Sequence, residues 1–128
     1  MLEVSLNGSS WLVDVGFGEG FVEPLPLVPG QWDSGGQRFL LERRGEDWLL
    51  SQQGPDGARK LLYVFSRVPR RLEEFSEMCR YHQTSPDSFF LKGLLCTLKT
   101  PTGRVTLSGS RLIVTEQGQR VERPLAGQ

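Results

Sequence analysis

The sequence predicts a β-rich α+β fold, an antiparallel β-barrel or meander with one main α-helix between two groups of strands. Short runs of alternating apolar and polar residues recur along the chain, separated by turns rich in glycine and asparagine. After Pro69 the apolar period changes to three and four residues, which is typical of a helix. Beyond Pro86 the strand-like runs return. The 128 residues are long enough to bury a core of their own.

The first group of strands begins with a hairpin. Residues 2–6 alternate and are followed by Asn7-Gly8, a dipeptide that favours a two-residue hairpin turn, and residues 11–13 continue as the second strand. Residues 16–36 are rich in glycine and proline, which predicts mostly loop with short extended pieces. Further strands of this group are predicted at 38–43, 48–52 and 60–65.

The helix is predicted at about residues 71–83. Its apolar face carries Leu72, Phe75, Met78, Cys79 and His82, and Glu73 and Glu74 favour its first turn. Pro86 ends it. The second group of strands is predicted at 89–98, 105–107, 111–115 and 119–123.

Composition and charge exclude several classes of function. The 15 basic and 15 acidic residues cancel, so we expect no nucleic-acid partner. Apolar runs are far shorter than the roughly 20 residues that a membrane span requires, and the N-terminus does not resemble a signal peptide, so we expect a cytoplasmic protein. Cys79 and Cys96 are expected to be reduced and packed rather than paired.

Asp14 is the first candidate for chemistry. It ends an otherwise apolar strand, where a carboxylate is costly to bury without a hydrogen-bond partner. One interpretation is that it accepts backbone N–H groups of the glycine turn that follows. The other is that it orients a catalytic imidazole, as the acid of a nucleophilic triad does.

Phe17 lies between Gly16 and Gly18, which allow a sharp turn that presents the ring to a planar ligand. A place in the core is the alternative for this ring. The run 16–20 is not a dinucleotide-binding loop, because its third glycine comes early and prolines follow where a helix would begin.

Two other groups of polar residues are candidates for chemistry. Cys79 and His82 are three residues apart on the predicted helix, but packing on the apolar face is favoured over a thiolate and base, and no metal site is expected. Residues 81–90 combine hydroxyls, a carboxylate and aromatic rings where helix passes to strand. This segment either holds a pyrophosphate or pantetheine arm or simply terminates the helix.

Four blocks of sequence together resemble the arylamine N-acetyltransferase family. They are Trp-Leu-Val-Asp-Val-Gly-Phe-Gly at 11–18, Glu-Pro-Leu-Pro-Leu at 23–27, Thr-Ser-Pro-Asp-Ser-Phe-Phe at 84–90 and Cys-Thr-Leu-Lys-Thr-Pro-Thr-Gly at 96–103. Members use a Cys-His-Asp triad, in which the cysteine takes acetyl from acetyl-CoA and passes it to an arylamine, arylhydrazine or arylhydroxylamine.

The resemblance implies specific roles. Asp14 is identified as the acid of the triad and Phe17 as a ring that lines the acceptor pocket. His82, Asp87, Phe89 and Phe90 match positions that contact coenzyme A. Asp87 departs from the hydroxyl of some members, and a carboxylate facing phosphates would weaken that contact.

The resemblance also implies what the chain lacks. The family's nucleophilic cysteine belongs to a helical N-terminal domain, and its histidine lies shortly before the strand that opens this chain. The one histidine here, His82, falls instead in the coenzyme-contacting segment. Residues 1–68 resemble the middle β-barrel domain, and residues 69–128 resemble part of the α/β lid. We therefore expect a truncated or split acetyltransferase that is inactive alone, or else a non-catalytic binding or interaction module. Exposed apolar surface would then favour a homodimer or contact with the missing N-terminal domain.

Overall fold

The computed structural model describes residues 1–116 and 119–125. The chain divides into two compact units. The first unit comprises Met1–Arg67 and Lys99–Gly103, and the second comprises Val68–Leu98 and Arg104–Gln128.

A three-stranded antiparallel sheet opens the first unit. Its strands are β1 (Leu2–Leu6), β2 (Ser9–Val13) and β3 (Leu25–Pro26), and they lie in that order. Asn7 and Gly8 adopt φ angles of 51° and 77°, the left-handed values that a two-residue hairpin turn of this kind requires. The hairpin predicted from Asn7-Gly8 is therefore confirmed.

A four-stranded antiparallel meander completes the first unit. Its strands follow one another in space as in sequence: β4 (Gly30–Ser34), β5 (Gln37–Arg44), β6 (Asp47–Gln53) and β7 (Arg59–Ser66). The strand β4 lies in the segment that was predicted to be mostly loop. Its residues favour a strand weakly by themselves, and pairing with β5, for example Trp32 with Phe39, supplies the missing stabilisation.

The core of the first unit is built from both sheets. Phe39 is fully buried, and the ring of Phe21 meets it edge to face at 6.0 Å between centroids. The buried members of this cluster are Leu12, Phe21, Leu25, Leu27, Phe39, Leu41, Trp48 and Leu50. This core positions the end of β2 and, through Leu62, Tyr63 and Phe65, the second half of β7.

Ser34, at the end of β4, fastens the glycine- and proline-rich loop to the meander. Its side chain is buried, and its hydroxyl oxygen accepts the backbone N–H groups of Val22 at 3.0 Å and Glu23 at 3.1 Å. Neither donor belongs to a helix or strand. The serine hydroxyl therefore supplies the acceptor that a neighbouring strand would otherwise provide to these two backbone N–H groups.

In the second unit a helix lies where the three- and four-residue period predicted it. A 3-10 turn, Leu72–Phe75, leads directly into α1 (Ser76–Thr84). The strand predicted at 89–98 is wrong in its first half, because Phe89–Leu91 forms a 3-10 turn. The hydroxyl of Ser88 accepts the N–H of Phe90 at 3.3 Å and caps this turn, so the strand begins only at Leu95.

The remaining strands form a second four-stranded sheet. They are β8 (Leu95–Thr100), β9 (Gly103–Ser108), β10 (Arg111–Glu116) and β11 (Gln119–Pro124), again neighbours in chain order. The predicted fold class is confirmed: the molecule consists mainly of antiparallel sheets, with a helical segment between two groups of strands. No helix within residues 1–116 and 119–125 is long and apolar enough to cross a membrane.

The second unit differs from the first in what it buries. Its three helical segments bury none of their side chains, and Ser88 is the one buried residue among those that the structure describes in this unit. The apolar face predicted for the helix is thus present but exposed. Exposed apolar side chains of these segments and their neighbours are Leu72, Phe75, Met78, Phe89, Phe90, Leu91 and Leu94.

The substitution Ser34→Ala tests the anchoring of the loop. Removing the hydroxyl leaves the N–H groups of Val22 and Glu23 without their acceptor, and we expect the free energy of unfolding to fall by about 1–3 kcal/mol. Chemical denaturation followed by circular dichroism measures this change. The matched control, Ser5→Ala on the exposed strand β1, should change stability by less than about 0.5 kcal/mol. An equal, small effect of both variants would contradict the anchoring role.

Candidate functional site

Asp14 follows the last residue of β2 and is half-buried. Its Oδ1 atom accepts the backbone N–H of Gly16 at 3.1 Å. Asp14 therefore accepts a backbone N–H group of the glycine turn, as the first of the two interpretations predicted. A carboxylate has about four lone-pair positions, and this bond occupies one of them. The Asp14 carboxylate consequently has the capacity to accept further donors while it is held by its own turn.

The loop after Asp14 presents the ring of Phe17. The carbonyl oxygen of Phe17 accepts the N–H of Gly20 at 2.8 Å, which closes a tight turn. A Cβ atom at Gly20 would lie 3.1 Å from that oxygen, so a larger residue would force the turn to shift. The Phe17 side chain is 37% exposed and is not a core residue. No helix follows the glycines, since the next element is β3, which agrees with the exclusion of a dinucleotide-binding loop.

Tyr63 of β7 packs against Phe17 and was not among the predicted site residues. Its ring meets Phe17 edge to face, with centroids 5.6 Å apart and an interplanar angle of 84°. Its hydroxyl is shielded from solvent and has no partner at ordinary hydrogen-bond geometry among the described residues. Burial, followed by the negative charge of the Asp14 carboxylate and a polar contact with it, raises the pKa of Tyr63 above its usual range.

A β-bulge aims Tyr63 at this location. On β6, Leu50 pairs with Tyr63 while the next residue, Ser51, pairs with Leu61, so Leu62 is the extra residue of β7. In a regular strand, two consecutive side chains lie on opposite faces. Here both Leu62 and Tyr63 pack against the core, because the bulge reverses the alternation between them.

An ion pair ties the Phe17 turn to the same strand. Lys60 of β7 donates to Glu19 at 2.5 Å. Glu19 lies inside the turn closed by Phe17 and Gly20, and Lys60 lies three residues before Tyr63. The loop is thus held to β7 by this charge pair and by the contact between the rings of Phe17 and Tyr63.

A second cluster of predicted site residues surrounds Ser88 in the second unit. The Ser88 side chain is 1% exposed; its hydroxyl donates to the carbonyl oxygen of His82 at 3.1 Å and accepts the N–H of Phe90 at 3.3 Å. The His82 Nδ1 atom lies 3.3 Å from the same oxygen. Because its proton is donated to a carbonyl and it is shielded from solvent, Ser88 is an organising residue and not a nucleophile.

The aromatic residues of this cluster face outward. The rings of His82 and Phe90 meet edge to face at 4.9 Å, and Phe89 and Phe90 are each 63% exposed. Asp87 is exposed, and its backbone N–H donates to the Ser85 hydroxyl at 3.3 Å. The segment thus offers two exposed rings beside one exposed carboxylate.

The structure therefore groups the predicted residues in two sets. Asp14 and Phe17 come together in the first unit; His82, Asp87, Phe89 and Phe90 come together in the second. The thiol of Cys79 accepts from the Gln83 amide at 3.0 Å, whereas His82 Nδ1 lies against Ser88. Both cysteines are free but exposed, which corrects the expectation that they are packed. The described residues contain no group of three or more His, Cys, Asp or Glu side chains that could hold a metal ion.

Tyr63 and Ser88 are the residues that the sequence analysis did not assign. A signal for Tyr63 exists in the run Leu61-Leu62-Tyr63-Val64-Phe65, where five consecutive apolar or aromatic residues break the alternation of a half-buried strand. Ser88 gives a weaker signal, a serine just before two phenylalanines, which is a typical position for a cap.

Comparison with known proteins gives a consistent result. A sequence profile of the family described as "N-acetyltransferase" matches residues 1–126. The arylamine N-acetyltransferase 1 of Oryctolagus cuniculus is 34% identical over 134 residues, covering 90% of this chain and 46% of that protein. The chain therefore spans about half the length of the curated relatives that it matches.

Solved structures agree in fold. The Mycobacterium smegmatis arylamine N-acetyltransferase is 30% identical with a TM-score of 0.85, over 96% of this chain and 46% of that chain. The Mycobacterium marinum arylamine N-acetyltransferase, solved in complex with CoA, is 26% identical with a TM-score of 0.85, over 97% of this chain and 47% of that chain. The profile match over nearly all residues, the relatives above 30% identity and the shared fold lead to one conclusion: this chain belongs to the arylamine N-acetyltransferase family.

Proposed function

We propose that this chain supplies the orienting carboxylate, Asp14, of a Cys-His-Asp triad that transfers acetyl from acetyl-CoA to an arylamine, arylhydrazine or arylhydroxylamine. The thiol and the imidazole of that triad come from outside these 128 residues. The observation that carries this proposal is the placement of Asp14. It is half-buried directly after β2, its Oδ1 atom accepts the N–H of Gly16, and its other lone-pair positions remain able to accept a donor.

The chemistry explains why a carboxylate is needed. In such a triad the imidazole takes the proton of the thiol, the thiolate attacks the acetyl carbonyl of acetyl-CoA, and coenzyme A leaves as its thiol. The acetyl thioester is then attacked by the amine. A carboxylate bonded to the second ring nitrogen fixes the tautomer and orientation of the imidazole and stabilises its charged form. Asp14 serves this role in the proposal.

The groups within the chain do not replace the missing partners. His82 is engaged with Ser88, and the Cys79 thiol accepts from Gln83 instead of facing that imidazole. A nucleophile needs a base within hydrogen-bond reach. Among the described residues, neither cysteine makes a hydrogen bond to a basic side chain. The chain alone is therefore proposed to be inactive.

The acceptor side of the reaction is assigned to Phe17. Its ring is partly exposed, and its position is fixed by the Gly20 turn and by the Tyr63 ring. A rigid, partly exposed aromatic ring near the orienting carboxylate is suited to pack against the aryl group of the amine.

Coenzyme A is assigned to the Ser88 cluster of the second unit. Phe89 and Phe90 expose rings suited to the adenine or the pantetheine arm, and His82 adds a further aromatic surface. The CoA complex of the M. marinum relative supports coenzyme A as the ligand class. Asp87 opposes this assignment in part, because its exposed carboxylate repels phosphate.

A second candidate function is favoured by the exposed apolar residues. Leu72 is 83% exposed, and the helical segments of the second unit bury none of their side chains. Apolar surface of this kind is typical of interaction sites, so the chain would serve as a non-catalytic module that binds a partner or a second copy of itself. The experiments below distinguish this function from the catalytic one.

Acetyl transfer provides the first test. The chain alone, mixed with acetyl-CoA, should form no acetylated cysteine by intact-mass spectrometry and acetylate no arylamine. Fused behind the helical N-terminal domain of the M. smegmatis enzyme, it should become active, and Asp14→Asn in this fusion should lower kcat on the order of 10³- to 10⁴-fold, since the imidazole loses its orienting partner.

The matched control for this test is Asp33→Asn, which removes the same charge from an exposed pair with Arg38. This control should retain the activity of the unsubstituted fusion, and circular dichroism should show all fusions folded. Acetylation of Cys79 or Cys96 with turnover by the chain alone would contradict the proposal. Equal activity of the Asp14→Asn and unsubstituted fusions would also contradict it.

Coenzyme A affinity provides the second test. Asp87→Asn removes the one carboxylate of the His82–Phe90 segment, and we expect the affinity for coenzyme A to rise roughly 2- to 5-fold at low salt. Isothermal titration calorimetry measures this change. Glu77→Gln on α1 removes an equal charge outside the segment and should have a smaller effect. No heat with coenzyme A for any variant, together with none for a simple arylamine, would favour the interaction module.

A further inference from the structure

We propose that the turn of the first hairpin, Asn7-Gly8, is a site of spontaneous covalent modification, at which the Asn7 carboxamide is converted to aspartate and isoaspartate. The substrate is the chain's own amide, and water is the other reactant. Asn7 is the single asparagine of the sequence, so the reaction has one place to occur. It is independent of the role proposed for Asp14.

The reaction joins two groups that are adjacent in the chain. The backbone nitrogen of Gly8 attacks Cγ of Asn7, the bond from Cγ to Nδ2 breaks, and ammonia leaves with the proton of the Gly8 N–H. A cyclic succinimide results. Water then opens the ring at one of its two carbonyls. Cleavage of the new bond to Cγ gives aspartate, whereas cleavage at the original peptide carbonyl gives isoaspartate, in which the backbone runs through the side chain. Water is consumed and ammonia is released in equal amounts.

Gly8 removes the main obstacle to this attack. A side chain on the residue after an asparagine crowds the attacking nitrogen, whereas glycine has no side chain and rotates readily about its backbone bonds. A Cβ atom placed on Gly8 would meet no atom within 4 Å beyond its chain neighbours, so the space beside this nitrogen is open. Both Asn7 and Gly8 are exposed, so water reaches the ring that they form.

The Asn7 carboxamide is not held by other groups. Among the residues that the structure describes, none makes a hydrogen bond to this side chain. The turn at Asp56-Gly57 differs, because Asp56 Oδ1 accepts the backbone N–H of Ala58 at 3.0 Å. That bond holds the Asp56 side chain in place, and an ionised carboxylate is also a poorer electrophile than a neutral amide. Amides of asparagine are among the thermolabile groups of proteins.

The strand that leads into the turn is able to open locally. β1 lies at the edge of its sheet, and all five of its residues are exposed. The bonds from Arg67 to Glu3 hold the start of β1 and not the end that adjoins Asn7. Ring closure requires the Asn7 Cα–C bond to rotate out of the turn conformation. Local opening of an exposed edge hairpin permits this rotation.

The product changes the hairpin that contains it. Isoaspartate adds one carbon atom to the backbone of a two-residue turn and replaces a neutral amide with a negative charge. The register of β1 against β2, in which Leu6 lies opposite Ser9, is set by this turn. Conversion of Asn7 to isoaspartate should therefore weaken the pairing of the two strands.

The test ages the 128-residue chain in mildly alkaline buffer and maps its peptides by mass spectrometry. We expect the peptide that contains residue 7 to exchange an amino group for a hydroxyl, in two chromatographic forms. The form with isoaspartate should accept a methyl group from an isoaspartate-specific methyltransferase. A synthetic peptide with the sequence of residues 3–12 serves as the unfolded reference.

Two controls locate the reaction. Asn7→Gln has a longer side chain that disfavours ring closure, and this variant, shown to be folded by circular dichroism, should remain unchanged over the same period. Within the unsubstituted chain, the peptide that contains Asp56 should accumulate less isoaspartate than the peptide that contains residue 7.

Two results would overturn the proposal. One is an unconverted Asn7 in the folded chain when the reference peptide has converted completely, since the closed turn would then protect the amide. The other is the same change of mass, at the same rate, in the Asn7→Gln chain. Hydrogen exchange measures the consequence for the hairpin. Backbone amides of β1 should exchange faster in the converted chain, and equal exchange would contradict the predicted weakening of the strand pairing.

Discussion

The carboxylate of Asp14 is half-buried at the end of an apolar strand, and the arrangement of the first unit around it follows from the need to satisfy that charge. Its own turn supplies one N–H group, from Gly16. The meander places the ring of Tyr63 edge to face against Phe17, with centroids 5.6 Å apart. The turn that presents Phe17 and the bulge at Leu62 are the two backbone features that make this grouping possible. A rigid core behind both strands keeps them in place.

The two clusters of site residues are stabilised in different ways. The Asp14 cluster is built on a hydrophobic core to which both sheets of the first unit contribute. The cluster in the second unit depends on a single buried hydroxyl, that of Ser88, which bonds to His82 and Phe90 while apolar side chains around it remain exposed. The Asp14 cluster is therefore pre-organised, whereas the Ser88 cluster becomes ordered only when a ligand or partner covers its exposed side chains. This difference is consistent with the roles proposed for the two clusters, an orienting acid in the first unit and contact with coenzyme A in the second.

Local signals predicted much of the fold. Asn7-Gly8 predicted the first hairpin, and the change of apolar period after Pro69 predicted the helix. Errors arose where a residue distant in sequence, or a side-chain bond, decided the outcome. The strand β4, one of the short extended pieces expected in residues 16–36, could not be located because its pairing with β5 decides it, whereas Phe89–Leu91 is a 3-10 turn and not a strand because Ser88 caps it. Asp14 and Phe17 were predicted as site residues from their own motif. Tyr63 was not, because the break in alternation at 61–65 does not by itself specify the contact with Phe17 that brings its ring to the site.

The most direct measurement of the central claim is the distance from the Asp14 carboxylate to the imidazole nitrogen that it is proposed to orient. A crystal structure of the fusion with a helical N-terminal domain gives this distance. The account predicts a separation of about 2.6–3.2 Å, with the Gly16 N–H as a second donor to the same carboxylate. An Asp14 side chain that points away from that imidazole, with its acceptor positions filled entirely by its own unit, would contradict it.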